Sequence, residues 1–230
     1  MTAPLVIAHR TCPRDARENS LDGIETAARL GADAVEVDVR RTRPGTPVLL
    51  HDPWLLRLQH VPLRVDWLRD DFVTRLGVPP FADALEVVRA HDLRVAIDTK
   101  DPGAAESVVA ALRDTGTVDR ALLWAQHMPT VRSYVRALPD AEVALLRDTF
   151  DAAAHDRLLA DAQAIGARAV SAHQDVVTPE FIAAARDRGL AVYCWYQELA
   201  VQQARLPGVA AAGLAGVVTD WPAEARAALG

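Results

Sequence analysis

Eight short runs rich in apolar and β-branched residues recur along this chain, at positions 5–10, 34–40, 94–100, 121–126, 142–147, 168–173, 191–195 and 216–220. Alanine-rich stretches with helical spacing lie between nearly all of them. Strand and helix alternating eight times is the sequence form of an α/β protein closed into a (β/α)8 barrel, the TIM barrel. The competing arrangement, an open doubly wound sheet, calls for an early glycine-rich phosphate loop that this sequence lacks. The first connection shows how the helices are read. Asn19 or Ser20 can cap, Leu21, Ile24, Ala28 and Leu30 recur on one face, and Gly31 supplies the stop. The same logic predicts helices over 104–113, 130–137, 151–165, 179–188 and 200–205, several of them ending near Gly166, Gly189 or Gly208.

Two places break the rhythm. Pro44-Gly45-Thr46-Pro47 reads as a turn, after which 48–50 would form a short extra strand returning beside the second one and delivering His51. From about 52 to 80 the chain carries Trp54, Leu55, Leu56, Trp67 and Phe72 with no sustained period, so we expect an inserted cap over the barrel mouth with Trp54, Trp67 and Phe72 in its core, a ligand box being the alternative for these three. A length of 230 residues without a linker or low-complexity tract suits a single domain spanning 1–230. The net charge of −6 weighs against a nucleic-acid or anionic membrane partner. With no basic leader followed by a long apolar stretch and no run of membrane-spanning length, the expectation is a soluble, cytoplasmic protein with no stable membrane insertion. Nothing in the sequence fixes an oligomeric state. Cys12 and Cys194 are too few for a disulfide framework and are expected to be free thiols.

Charged clusters stand at the outgoing ends of three of the early runs: His9-Arg10, then Glu36-Val37-Asp38 with His51-Asp52 soon after, then Asp98-Thr99-Lys100. Strand side chains alternate, so Glu36 and Asp38 share one face while Val35, Val37 and Val39 take the helix-facing side, and Asp98 and Lys100 share a face for the same reason. Three carboxylates converging inside a barrel repel one another unless a cation compensates, and all-oxygen ligation points to Mg²⁺ or Ca²⁺ rather than zinc. A carboxylate–arginine network that merely closes the barrel end is the alternative. His9 and His51 have the near-neutral intrinsic pKa that suits a proton-transfer pair. Arg10 and Lys100 would hold phosphate oxygens, or Arg10 would pair with Glu18. Lys100 is the only lysine in the chain. A compact ammonium stands here where every other cationic chain is the wider arginine fork. Gln126, His127 and His173, at the ends of the fourth and sixth runs, are expected to face the mouth, either touching substrate or simply solvated.

These patterns together resemble the glycerophosphodiester phosphodiesterase family. Its His-Arg-Gly, Pro-Glu-Asn-Thr, Glu-x-Asp and His-Asp are matched by His9-Arg10, Glu18-Asn19-Ser20, Glu36-Val37-Asp38 and His51-Asp52, and its closing Thr-Asp-x-Pro by Thr219-Asp220-Trp221-Pro222. The resemblance implies a metal-dependent phosphodiesterase that converts small glycerophosphodiesters to sn-glycerol 3-phosphate and an alcohol. It makes Glu36, Asp38 and Asp98 the metal ligands, His9 the base, His51 the acid, Arg10 and Lys100 the phosphate ligands and Trp195 a wall of the substrate pocket. Attack by the neighbouring glycerol hydroxyl and a cyclic phosphate belong to that implied route. Several positions depart from the family: Thr11 for its glycine, Arg17 for its proline, Tyr196-Gln197-Glu198 for Thr-Val-Asn, and Asp98 for a glutamate. One methylene fewer draws that last carboxylate back by about 1.5 Å. Asp-x-Lys also resembles the sphingomyelinase D branch of the same superfamily, which would imply lysophospholipase D-like cleavage of a choline-bearing phospholipid. The lack of a secretion signal and of a disulfide pair argues against it. A non-catalytic barrel that binds phosphorylated ligands is a further reading, and the intact pair His9 and His51 argues against that one.

Overall fold

The computed structural model describes residues 3–148 and 154–230. Among them, eight parallel strands close into a barrel: β1 (Leu5–Ala8), β2 (Ala34–Arg41), β4 (Arg94–Thr99), β5 (Ala121–Ala125), β6 (Glu142–Arg147), β7 (Ala169–His173), β8 (Ala191–Trp195) and β9 (Gly216–Thr219). Pairing of β1 with both β2 and β9 completes the ring. The remaining strand, β3 (Pro47–Leu49), runs antiparallel to β2. Outside the ring lie α1 (Leu21–Arg29), α4 (Phe81–Ala90), α5 (Ala105–Asp114), α6 (Met128–Ala137), α7 (His155–Ala164), α8 (Pro179–Asp187), α9 (Leu199–Ala212) and α10 (Pro222–Leu229). Ser20 provides the N-cap of α1, its hydroxyl accepting from the Gly23 N–H at 3.0 Å.

Strand alternation sorts the apolar residues into two cores. Val35, Val37, Val39, Ile97, Leu123, Leu145 and Val170 face outward onto Ile24, Leu85, Leu112, Tyr134 and Phe181 of the helices. Inside the barrel, Ile7, Leu122, Trp124, Leu146 and Tyr193 share the lumen with Ala34, Ala96, Ala144 and Ala169. The alanines leave room for the large rings: Trp124 and Tyr193 lie 5.1 Å apart. Gly216 is required here, because a Cβ at that position would sit 2.9 Å from the Tyr193 ring. Cys12 and Cys194 are free and buried, and burial pushes both thiols up to about 12. No helix of the described residues is long and apolar enough to cross a membrane.

Several elements differ from expectation. The first strand stops at Ala8, and His9–Thr11 form a tight 3-10 turn in which Arg10, Thr11 and Cys12 take left-handed backbone angles, φ 42°, 61° and 70°. The turn carries His9 and Arg10 over the barrel mouth. Helix α9 does not stop near Gly208 but runs through Pro207 to Ala212, ending at Gly213 with φ 103°. Burial of Leu206 and Val209 on the barrel outweighs the local cost of the proline and glycine. Of the helix expected over 151–165, positions 151–153 lie outside the described residues, and α7 covers His155–Ala164.

The second strand is longer than its barrel neighbours require, and that builds the cap. Register pairs β1 with β2 only at Ala34 and Val35, while β4 holds the other edge of β2 as far as Val39. The edge that β1 vacates is taken by β3 at Val39, Arg40 and Arg41. Beyond it the chain forms α2 (Leu56–Gln59), a 3-10 turn and α3 (Asp70–Arg75) around a small core of Val48, Leu50, Leu55, Val65, Val73 and Val78. The expected aromatic core is not there: Trp54, Trp67 and Phe72 are exposed at 43%, 56% and 38%. Valine- and leucine-sized chains already fill the interior of so small a unit. Trp54 and Trp67 instead meet edge to face at 5.6 Å on the surface, with the Arg64 guanidinium 5.9 Å from each ring.

Candidate active site

At the outgoing ends of the strands a cavity of about 550 Å³ is lined by His9, Arg10, Glu36, Asp38, His51, Asp98, Lys100 and Trp195, together with Trp124, Asp148, Ser171, Tyr196 and Asp220. The two histidines, the three carboxylates, Arg10, Lys100 and Trp195 are therefore in one place. A larger cavity, about 750 Å³, opens at the opposite end among Arg94, Asp119, Asp140, Glu142 and Arg168, but no histidine lines it. Active sites of such barrels form at the outgoing ends, where loops can converge.

Parallel register sets Asp38 directly beside Asp98 on the neighbouring strand, and alternation turns Glu36 to the same side. One carboxylate oxygen from each of Glu36, Asp38 and Asp98 lies within 4.8 Å of the other two, and all three residues are buried. Lys100 Nζ stands 2.6 Å from Asp98 Oδ2 and 3.2 Å from Asp38 Oδ1. Arg10 reaches Asp38 Oδ2 at 3.3 Å and Glu18 at 3.7 Å, while its backbone N–H donates to Glu36 Oε2 at 2.8 Å. Arg10 thus pairs with Glu18, the alternative foreseen for it, and with Asp38 as well. Asn19 locks Asp38 from two directions: its amide donates to Asp38 Oδ2 at 2.8 Å, and its carbonyl accepts from the Asp38 N–H at 3.0 Å.

The charge balance is uneven. Burial, with Asp38 and Asp98 adding repulsion, pushes the Glu36 carboxyl up to about 8. Asp98 is raised for the same reasons, burial first, although Lys100 opposes the shift. Burial acts on Asp38 too, but Lys100, Arg10, His51 and the Asn19 hydrogen bond outweigh it and hold this carboxyl below its usual range. Lys100 is likewise held protonated against burial by Asp98 and Asp38. Asp98 Oδ1 is buried and accepts no hydrogen bond among the described residues. An oxygen-only donor set with spare negative charge and an unused buried oxygen fits a hard divalent cation. This acidic triad can hold a metal. The aspartate at 98, though a methylene shorter than glutamate, still brings its oxygen within reach of the other two.

Each histidine is oriented by a carboxylate. His9 Nδ1 lies 2.7 Å from Asp220 Oδ1, and His51 Nδ1 lies 2.8 Å from Asp52 Oδ1. Committing Nδ1 in this way leaves Nε2 of each ring as the nitrogen free for chemistry. Burial would lower the His9 pKa, but the hydrogen bond it donates to Asp220 and the charge of Glu36 raise it overall. Sequence reasoning quoted Asp220 and Asp52 as parts of motifs and gave neither a task. For Asp220 the available signal was position: the last strand of a closed barrel neighbours the first.

Gln126, His127 and His173 do not line the cavity: Gln126 and His127 are exposed, as the solvated alternative expected, and His173 is buried instead. β5 ends at Ala125, so Gln126 turns to Asp148 at 2.5 Å and His127 joins the start of α6, its ring 3.0 Å from Thr130 Oγ1. His173 is buried behind Trp195, ring centroids 4.5 Å apart, with Nδ1 3.3 Å from Asp175. Trp124, Asp148 and Ser171 line the wall in their stead.

The sequence profile of the glycerophosphoryl diester phosphodiesterase family matches residues 9–224, from the first histidine of the site into the last helix. The chain belongs to this family. A glycerophosphodiester phosphodiesterase of Caldanaerobacter subterraneus subsp. tengcongensis is 23% identical to it over 95% of this chain and 94% of its own length. A phosphodiesterase of Oleispira antarctica, solved in complex with the product sn-glycerol-3-phosphate, superposes with a TM-score of 0.82 at 19% identity, covering 98% of this chain and 96% of that one. A glycerophosphodiester phosphodiesterase of Parabacteroides distasonis gives 0.83 at 19% identity over 99% and 97%. These solved structures share the barrel fold. In this member of the glycerophosphoryl diester phosphodiesterase family, Thr11 replaces glycine at φ 61° and turns its hydroxyl to use, accepting from the Ser20 N–H at 3.1 Å.

Proposed function

We propose that this phosphodiesterase hydrolyses small glycerophosphodiesters to sn-glycerol 3-phosphate and an alcohol, with Glu36, Asp38 and Asp98 holding Mg²⁺ or Ca²⁺. The observation that carries the reading is the pairing of two carboxylate-held histidines with one acidic cluster: His9 beside Glu36, His51 beside Asp38, all in one cavity. A barrel retained only for ligand binding has no need of two imidazoles each fixed in one tautomer. His9 Nε2 takes the proton of the neighbouring glycerol hydroxyl as it attacks phosphorus, Asp220 stabilises the imidazolium that forms, and water then opens the resulting cyclic phosphate to glycerol 3-phosphate. His51 Nε2 delivers a proton to the departing alkoxide, a poor leaving group without it. Lys100 and Arg10 bind phosphate oxygens and balance charge that shifts toward the leaving group. Trp195 forms a wall for the organic part of the substrate. The cation, when bound, supplies Lewis-acid polarisation of the phosphoryl group. The Oleispira relative in complex with sn-glycerol-3-phosphate supports this choice of product.

The test is release of glycerol 3-phosphate from glycerophosphocholine, followed by a coupled dehydrogenase assay with Mg²⁺, Ca²⁺ and excess chelator in parallel. Turnover with either ion and none in chelator is expected. Undiminished turnover in chelator, or none under any condition, overturns the assignment.

A further inference from the structure

We infer that Arg57, on the cap, is a positioning residue for proton transfer, aiming His51 through Asp52. The inference rests on the reading of His51 as the general acid. All three nitrogens of the guanidinium are engaged. Nε donates to Asp52 Oδ2 at 2.5 Å, while Nη1 and Nη2 donate to Glu18 Oε2 and Oε1 at 2.9 and 2.6 Å. Asp52 therefore has one oxygen on Arg57 and the other on the His51 ring at 2.8 Å. Glu18, with only 12% of its side chain exposed, anchors the far side of the fork beside Asn19, the residue that locks Asp38.

The His51 backbone is fixed separately, since its carbonyl accepts from Arg40 Nε at 2.7 Å. What remains is rotation of the ring, and among the described residues its hydrogen-bond partner is the Asp52 carboxylate. Asp52 is itself about a third exposed and would rotate on its own if Oδ2 were released. A planar fork satisfies two carboxylates on two loops at once, which a lysine ammonium cannot do with the same geometry. Arg57 thus sets the angle of His51 Nε2 relative to the carboxylate cluster without touching substrate.

Loss of this restraint should matter only where aim matters, in protonating a poor leaving group. Two substrates separate this from a merely structural tie between cap and barrel: glycerophosphocholine, which expels an alkoxide, and the 4-nitrophenyl ester of glycerol phosphate, whose phenolate leaves unaided. Arg57→Met should lower kcat on the first by about tenfold or more and on the second by less than about threefold, with KM nearly unchanged. Arg57→Lys should fall between Met and wild type, and it carries the same comparison if the Met variant does not fold. Arg64→Met is the control, because Arg64 binds Asp66 within the cap at 2.9 and 2.7 Å and should leave both rates unaltered. Equal losses on both substrates, or no loss, overturn the role of Arg57. His51→Ala run beside them tells the two readings apart. If it discriminates between the substrates and Arg57→Met does not, the positioning role alone fails, whereas a His51→Ala variant that loses both rates equally removes the general acid and the inference with it.

Discussion

Lys100 illustrates how one side chain can be read from sequence as odd and from structure as necessary. Its Nζ sits between Asp98 and Asp38 at 2.6 and 3.2 Å, a gap suited to a compact ammonium. Arginine would spread the same charge over a wider plane and give up its fit between two carboxylates on adjacent strands. Lys100→Met is expected to lower kcat/KM by about 10²–10³, the usual scale for a charge aimed at a reacting phosphate or oxyanion, with an unchanged circular dichroism spectrum. Lys100→Arg should recover little of that loss. A folded Met variant with wild-type turnover would leave the lysine without a role. Residues of this kind were legible because each lies on or just past a strand whose alternation fixes its direction. Asp220 and Arg57 were not, since His9 lies 211 residues from Asp220 and Glu18, one of the two partners of Arg57, lies 39 residues from it, and these pairs meet only once the barrel is closed and the cap is folded.

Glu18 joins two elements that the sequence presents as unrelated, the loop after β1 and the cap helix α2. Burial would raise its carboxyl, but the hydrogen bonds from Arg57 and the charges of Arg10 and Arg57 hold it below the ordinary value of 4.5. A carboxyl lowered in the folded state contributes stability that is fully present above its unfolded pKa and is lost as pH falls through its folded one. Glu18→Gln should therefore cost on the order of 1 kcal/mol at pH 7. That is about 2–4 °C in Tm for a domain of this size. The gap between variant and wild type should narrow as pH falls below 4.5. Thermal melts at pH 7 and pH 3.5 measure it, and a gap independent of pH would mean that Glu18 acts by packing alone. At this scale the strands were well placed by their β-branched runs, two of them with their bounds unchanged. The cap aromatics were misplaced because hydrophobicity states a preference for burial and nothing about the volume available. Helix α4 went unnoticed beside the irregular insertion, although Phe81, Ala84, Leu85 and Val88 have helical spacing and are buried.

For the molecule as a whole, the barrel concentrates three buried carboxylates at one end of a lumen otherwise filled with alanine, leucine and aromatic rings. Without a cation this is a charge imbalance that favours protonation: burial and the neighbouring aspartates push Glu36 up to about 8. Glutamine has the shape of that neutral form. Glu36→Gln should therefore melt within about 2 °C of wild type when metal-free, because it replaces one uncharged group by another. With a cation present the two proteins should part. Binding at about a hundred times Kd stabilises wild type by about 2.7 kcal/mol. For 230 residues that is roughly 5–10 °C. The variant, lacking one anionic oxygen ligand, should shift by less than about 2 °C at the same concentration. Melts of both proteins in chelator and across a titration of Mg²⁺ and of Ca²⁺ read this directly, with no substrate needed. Equal shifts in the two proteins would place the cation elsewhere, and an unshifted wild type would remove the metal from the site altogether.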